Sequence, residues 1–161
     1  IKERPWKAYI LGIGDGLNEY EKMAEDRGIQ ERILFLNNLD YADLDNYYQK
    51  ASAVVFPSMS PESFGLVGIE AMSFGRPVIA FDVGGPREWL IDGRTGFLVK
   101  RGDVKGLSLR IHQLLEDASL AKRMGREGQR RVSELYRKES HLKRLLTIYE
   151  EVIERRRQKD S

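Results

Sequence analysis

The chain has 161 residues, 41% of them hydrophobic and 32% charged, which suffices for one domain with a sizeable core and is too apolar for intrinsic disorder. It has no cysteine and two histidines, His112 and His141; this excludes disulfides, thiolate metal sites and cysteine nucleophiles and disfavours a histidine metal cluster. Net charge is +2, but residues 1–117 hold 14 basic and 18 acidic side chains whereas residues 118–161 hold 13 and 7, so the carboxyl-terminal part is basic.

Short apolar runs rich in branched or aromatic residues recur at 8–11, 33–36, 53–56 and 77–81, as buried strands require. The stretches 17–27, 41–51 and 65–74 between them have helical spacing. This alternation predicts an α/β fold with a doubly wound parallel sheet, Rossmann-like, with helices on both faces and further helices at the carboxyl end. Gly75 sits where a left-handed helix cap belongs, and Pro77 cannot continue the helix. Pro86 opens a short helix over 86–91, Asp92-Gly93 forms a turn, and 96–99 forms a short strand. Three helices follow, near 104–116, 120–136 and 139–157. In the last, Leu142, Leu145, Leu146, Tyr149, Val152 and Ile153 recur at three and four residues, which places them on one buried face. No internal repeat or flexible linker divides the chain, so residues 1–161 are expected to form a single domain. No apolar run approaches the ~18 residues of a membrane span. Ile1 opens the chain without a signal-peptide pattern, so a fragment or processed piece is expected.

In an open parallel sheet, ligands bind beyond the carboxyl ends of the strands. Four loops qualify: 12–16, 37–43, 57–63 and 82–86. The third is the most informative. Pro57-Ser58 ends a strand, and Glu62-Ser63-Phe64-Gly65 leads directly into the helix that carries Glu70. Free backbone amides at that helix start suit a phosphate. At about 1.5 Å rise per residue, the two carboxylates address points about 8 Å apart, which fits an elongated ligand with hydroxyls at both ends. Carboxylates accept hydrogen bonds strongly from hydroxyls but repel a diphosphate unless positive groups lie between.

The order Pro57-Ser58, Glu62-Ser63-Phe64-Gly65-Leu66-Val67-Gly68-Ile69-Glu70-Ala71-Met72, Gly75-Arg76-Pro77-Val78-Ile79-Ala80 and Gly84-Gly85 resembles the family 4 (group 1) retaining glycosyltransferases of GT-B fold. Gly12-Ile13-Gly14-Asp15-Gly16, Ile33 to Leu36 and Asp92-Gly93-Arg94-Thr95-Gly96-Phe97-Leu98-Val99 extend the likeness over most of the chain. The resemblance implies the donor-binding, carboxyl-terminal half of such an enzyme. A nucleoside diphosphate sugar, such as a UDP-sugar or GDP-sugar, is then the donor, and the sugar passes to an acceptor hydroxyl with retention of configuration. No metal or other cofactor is implied. By resemblance, Glu62 is the catalytic candidate and binds donor-sugar hydroxyls, Glu70 binds the ribose, and the amides of Phe64, Gly65 and Leu66, with Ser63 beside them, contact sugar or phosphate. Leu39 lies where relatives lay backbone along the nucleobase, although they more often carry a Gly-aromatic pair where this chain has Asn37-Asn38.

Two parts of the family pattern are missing from the sequence: the amino-terminal domain that binds the acceptor sugar, lipid or other hydroxyl, and the first strand and helix, which supply an Arg and Lys pair for the diphosphate. The chain alone is therefore expected to be inactive and to bind donor weakly. The implied location is cytoplasmic, with a peripheral membrane contact of the basic helices as an option and no nucleic acid as partner. A non-catalytic nucleotide-binding or partner-recognition module is the alternative.

Simpler roles compete elsewhere. Gly12 to Gly16 departs from the dinucleotide fingerprint and suits a tight turn. Gly84-Gly85 fits either close ligand approach or a turn. Arg76 and Arg87 suit surface or helix-end positions, His112 and His141 lie outside the strand-end loops, and Asp15, Asp40, Asp43 and Asp82 suit turns and caps better than a metal.

Overall fold

A computed structural model describes residues 5–12, 16–36 and 40–159. The elements run β1 (Ala8–Leu11), α1 (Leu17–Asp26), β2 (Ile33–Leu36), α2 (Tyr41–Lys50), β3 (Val54–Phe56), α3 (Leu66–Ser73), β4 (Val78–Asp82), α4 (Pro86–Trp89), β5 (Gly96–Lys100), α5 (Val104–Glu116), α6 (Ala118–Leu135) and α7 (Lys138–Lys159). All strand pairing between these elements is parallel, as the alternation of apolar runs and helical stretches predicts. The chain divides into two compact units, residues 1–50 and 51–161.

In the first unit β1 pairs with β2, Ala8 opposite Ile33 and Leu11 opposite Leu36. The Tyr9 and Tyr47 rings meet 5.1 Å apart, tying α2 to the strand, and the Arg32 guanidinium lies 5.4 Å from the centre of the Trp6 ring.

The second unit has strand order β3-β4-β5. Its central strand is buried on both faces, with Val78, Ile79 and Ala80 fully buried and Phe81 nearly so, which explains an apolar run without alternation. Ile79 and Phe81 join Phe97, Val99, Leu114, Leu120, Ala121 and Met124 in one cluster with α5 and α6. Val78 and Ala80 face the other way, because successive strand side chains alternate. Asp103 and Asp117 cap α5 and α6 by accepting the N–H groups of Gly106 and Leu120.

Helix α6 lies against the end of α3. A Cβ on Gly125 would collide with the Gly75 carbonyl, and one on Gly128 would press on Met72 at 3.3 Å. Gly75 has φ 67°, the left-handed helix end expected from its position before Pro77.

Two expectations need correction. Helix α4 stops at Trp89, not 91, because the Ile91 N–H donates to Thr95 Oγ1 at 2.9 Å and Leu90 turns to extended backbone. The apolar stripe of α7 is not a buried face: Leu142, Leu146, Tyr149, Val152 and Ile153 are 46–60% exposed, and Leu145 is half-buried. Helical spacing reports that a helix has an apolar side and does not supply the surface to cover it; among the described residues none does. No described helix is long and apolar enough to cross a membrane.

The α3–α6 contact makes a quantitative prediction. In an open helix Gly→Ala gains about 1 kcal/mol, whereas overpacking against fixed backbone costs about 1–3 kcal/mol. Gly125→Ala should therefore lower the urea midpoint, while Ser119→Ala, on an exposed position of the same helix, should leave it nearly unchanged. A raised midpoint for Gly125→Ala would mean that α6 stands further from Gly75.

Candidate functional site

The loop that follows β3 rejoins the sheet. After residues 57–61 leave it, Glu62 forms a parallel bridge with Gly84. The Glu62 N–H donates to the Val83 carbonyl at 3.1 Å, and the Gly85 N–H donates to the Glu62 carbonyl at 2.8 Å. The segments after β3 and β4 are thereby fastened to each other beyond the strands' carboxyl ends. Glycine is needed on the β4 side. Gly84 has φ 103°, and a Cβ on Gly85 would lie 2.7 Å from Phe64 Cα and 2.8 Å from the Glu62 oxygen. Of the two readings of Gly84-Gly85 left open by the sequence, the structure shows the turn before Pro86; the backbone that approaches the pair closely is the chain's own 62–64 segment.

Beyond Glu62, Gly65 adopts φ 85° and ψ 67° and starts α3 without a side-chain cap. Among the described residues no protein acceptor engages the N–H groups of Phe64, Gly65 or Leu66. These amides join the positive end of the helix dipole. Glu62 is half-buried and Ser63 exposed; the Glu62 Cγ lies 3.4 Å from where a Gly65 Cβ would stand. Gly65 is buried, Leu66 exposed, and Glu70 half-buried within α3. The structure thus places Glu62, Ser63, Phe64, Gly65 and Leu66 on one loop-to-helix segment, with Glu70 further along the helix. Leu39 lies outside the described residues.

Behind this segment stands a support that motif reasoning missed. Trp89 is fully buried, and its indole Nε1–H donates to the Phe64 carbonyl at 2.6 Å. Gly68 makes room for that ring, since a Cβ there would overlap the indole. Arg131 of α6 donates from Nε to the Trp89 carbonyl at 2.8 Å and from Nη2 to the Glu88 carbonyl at 3.0 Å. The Tyr136 ring meets the Phe64 ring edge-on, with centroids 5.7 Å apart, and burial raises the Tyr136 hydroxyl above its ordinary pKa. One signal was available in the sequence: Gly68, a helix-interior glycine, which marks close packing.

The remaining polar groups have structural employment or lie apart. Arg87 donates twice to Asp82, both at 2.6 Å, and this hydrogen bonding holds the Asp82 carboxyl below its ordinary pKa. Arg76 donates to the Ala51 carbonyl at 3.0 Å. His112 is exposed, 3.9 Å from Glu116, and His141 is exposed. Among the described residues no group of three or more His, Asp or Glu side chains is placed to hold a metal. Ile13 to Asp15 lie outside the described residues.

The chain is similar to known proteins along nearly its whole length. The profile of the family "glycosyl transferases group 1" matches residues 1–131. A D-inositol 3-phosphate glycosyltransferase of Streptomyces avermitilis is 39% identical over 120 residues, covering 73% of this chain and 26% of that protein. The carboxyl-terminal domain of a group 1 family glycosyl transferase, LpcC of Francisella tularensis, superposes with a TM-score of 0.77 at 26% identity, over 85% of this chain and 73% of that one. HepE of Anabaena, solved in complex with UDP and glucose, gives a TM-score of 0.76 at 26% identity, over 92% of this chain and 39% of that one. The chain thus spans well under half the length of the Streptomyces and Anabaena proteins. With the Glu62-to-Glu70 segment standing on this frame of parallel strands and helices, the Rossmann-like fold of a GT-B half, the chain belongs to the group 1 glycosyltransferase family.

Proposed function

We propose that this chain is the donor-binding part of a retaining glycosyltransferase and that it holds a nucleoside diphosphate sugar at the segment from Glu62 to Glu70. The observation that carries the reading is the row of amides at Phe64, Gly65 and Leu66, engaged by no protein acceptor among the described residues and set at the start of α3 between two half-buried carboxylates. Amides at a helix start favour the oxygens of phosphate, whereas carboxylates favour hydroxyls. A nucleotide sugar presents both along one molecule.

Glu62 meets the sugar hydroxyls in this reading and Glu70 the ribose. The complex of HepE with UDP and glucose, on a similar fold, supports that class of ligand. When the bond between sugar and diphosphate breaks, negative charge grows on the departing phosphate oxygens, and amides already aimed there stabilise it without reorganising. The acceptor hydroxyl is supplied by a surface outside this chain. Binding without a metal is part of this reading, as the family resemblance implies; the helix dipole and amides contribute part of the positive potential that the diphosphate needs.

Saturation-transfer NMR on the chain, run separately with a uridine and a guanosine diphosphate sugar, tests the assignment. In the wild type one donor should receive saturation at both its ribose and its sugar protons. Glu70→Ala should lose the ribose contact and weaken binding about tenfold, the scale of a hydrogen bond to a charged group. Glu62→Gln should lose the sugar contact while the ribose contact remains. Saturation of neither donor, or of both unchanged in the two variants, would count against this site.

Chelation gives an independent check. Adding EDTA should leave the saturation pattern unaltered; its disappearance would require a metal that the reading omits.

A further inference from the structure

Resting on the donor-site reading above, we propose that Arg131 is a positioning residue for the Gly65 amide, acting through the Glu88 and Trp89 carbonyls and the Trp89 indole. A four-residue helix such as α4 is one turn and has no stability of its own. Its last carbonyls lack helical partners, and Arg131 takes two of them, Glu88 at 3.0 Å and Trp89 at 2.8 Å. The turn is thereby fixed to α6, an eighteen-residue helix packed into the core of the second unit.

From α4 the constraint passes to the ligand-facing segment by covalent geometry. The Trp89 indole holds the Phe64 carbonyl at 2.6 Å. That carbonyl shares a peptide plane with the Gly65 N–H, and in a trans peptide the two point in opposite directions; no described peptide is cis. Fixing the carbonyl on Trp89 therefore sets where the Gly65 N–H points. Gly65 at φ 85° has the rotational freedom to swing that plane if it were not held. Tyr136, near the carboxyl end of α6, steadies the Phe64 ring on the same side.

Arg131 is half-buried, so its replacement is gentler than loss of the fully buried Trp89. The test uses the 161-residue chain as wild type, Arg131→Met and Arg131→Lys, with residual dipolar couplings of the backbone amides and the shift of the Trp89 indole N–H. Arg131→Met should move the Gly65 coupling and the Trp89 indole signal while couplings of β3, β4 and β5 stay fixed. Arg131→Lys, which keeps one cationic donor, should restore part of both changes. Titration with UDP and with GDP forms the second arm: the nucleotide that shifts the wild-type Gly65 amide should bind about fivefold more weakly to Arg131→Met, the scale of one misaligned hydrogen bond.

The two claims fail separately. If neither nucleotide perturbs wild-type Gly65, the donor assignment falls, while the couplings of the ligand-free variants still decide whether Arg131 sets the amide. If the Gly65 coupling and the indole signal are unmoved in Arg131→Met, or if all couplings change together, the positioning role is overturned.

Discussion

The backbone exchange between Glu62 and the Val83–Gly85 segment is the constraint on which the rest of the site depends. A loop following a strand is ordinarily among the more mobile parts of an α/β protein. Here the chain returns after 57–61 and donates to Val83 and accepts from Gly85 as though the sheet had resumed. Position is thus inherited from β4, a strand buried on both faces. In the proposed reading, the carboxylate of Glu62 and the amides that follow it start close to the positions a donor needs, which lowers the ordering entropy of binding.

Small residues make this attachment possible at each level. Gly85 lets the 62–64 backbone approach, Gly68 admits the Trp89 indole, and Gly125 lets α6 reach the carbonyl of Gly75. Each is a place where bulk would push apart two elements that the site needs together. The helix α6 gathers the consequences, because it packs into the core through Leu120, Ala121 and Met124 and grips α4 through Arg131. Charge is sorted along the same frame. Amides and the helix dipole provide positive potential at the start of α3, the carboxylates flank it, and Arg87 is occupied by Asp82.

Much of this was legible in the residues. Strands β1 to β4 announce themselves as apolar runs, Gly75 and Pro77 close α3, and the 62–70 segment with its flanking glycines is specific enough to indicate a family. What escaped sequence reading is long-range. The pairing of Glu62 with Gly85 joins positions 23 residues apart through backbone atoms, which leave no signature in side-chain spacing. The Arg131 contact with α4 spans 42 and 43 residues, and one arginine among many on a basic helix does not show which carbonyls it will meet. Local competition shifted boundaries too: Thr95 ends α4 early by taking the Ile91 N–H, and Asp117 starts α6 at Ala118, two positions before the first apolar residue of its pattern. The stripe on α7 shows the opposite failure, a clear period whose burial does not follow from it.

Native-state hydrogen exchange at the Gly85 and Glu62 amides tests the central constraint most directly, because it reads the two bonds themselves. If the segment is an extension of the sheet, both amides should exchange as slowly as those of the β3–β4 ladder and open with it, as members of one cooperative unit. Exchange at the rate of an exposed loop, with β4 still protected, would show that the attachment is transient and that the site is not held by the sheet.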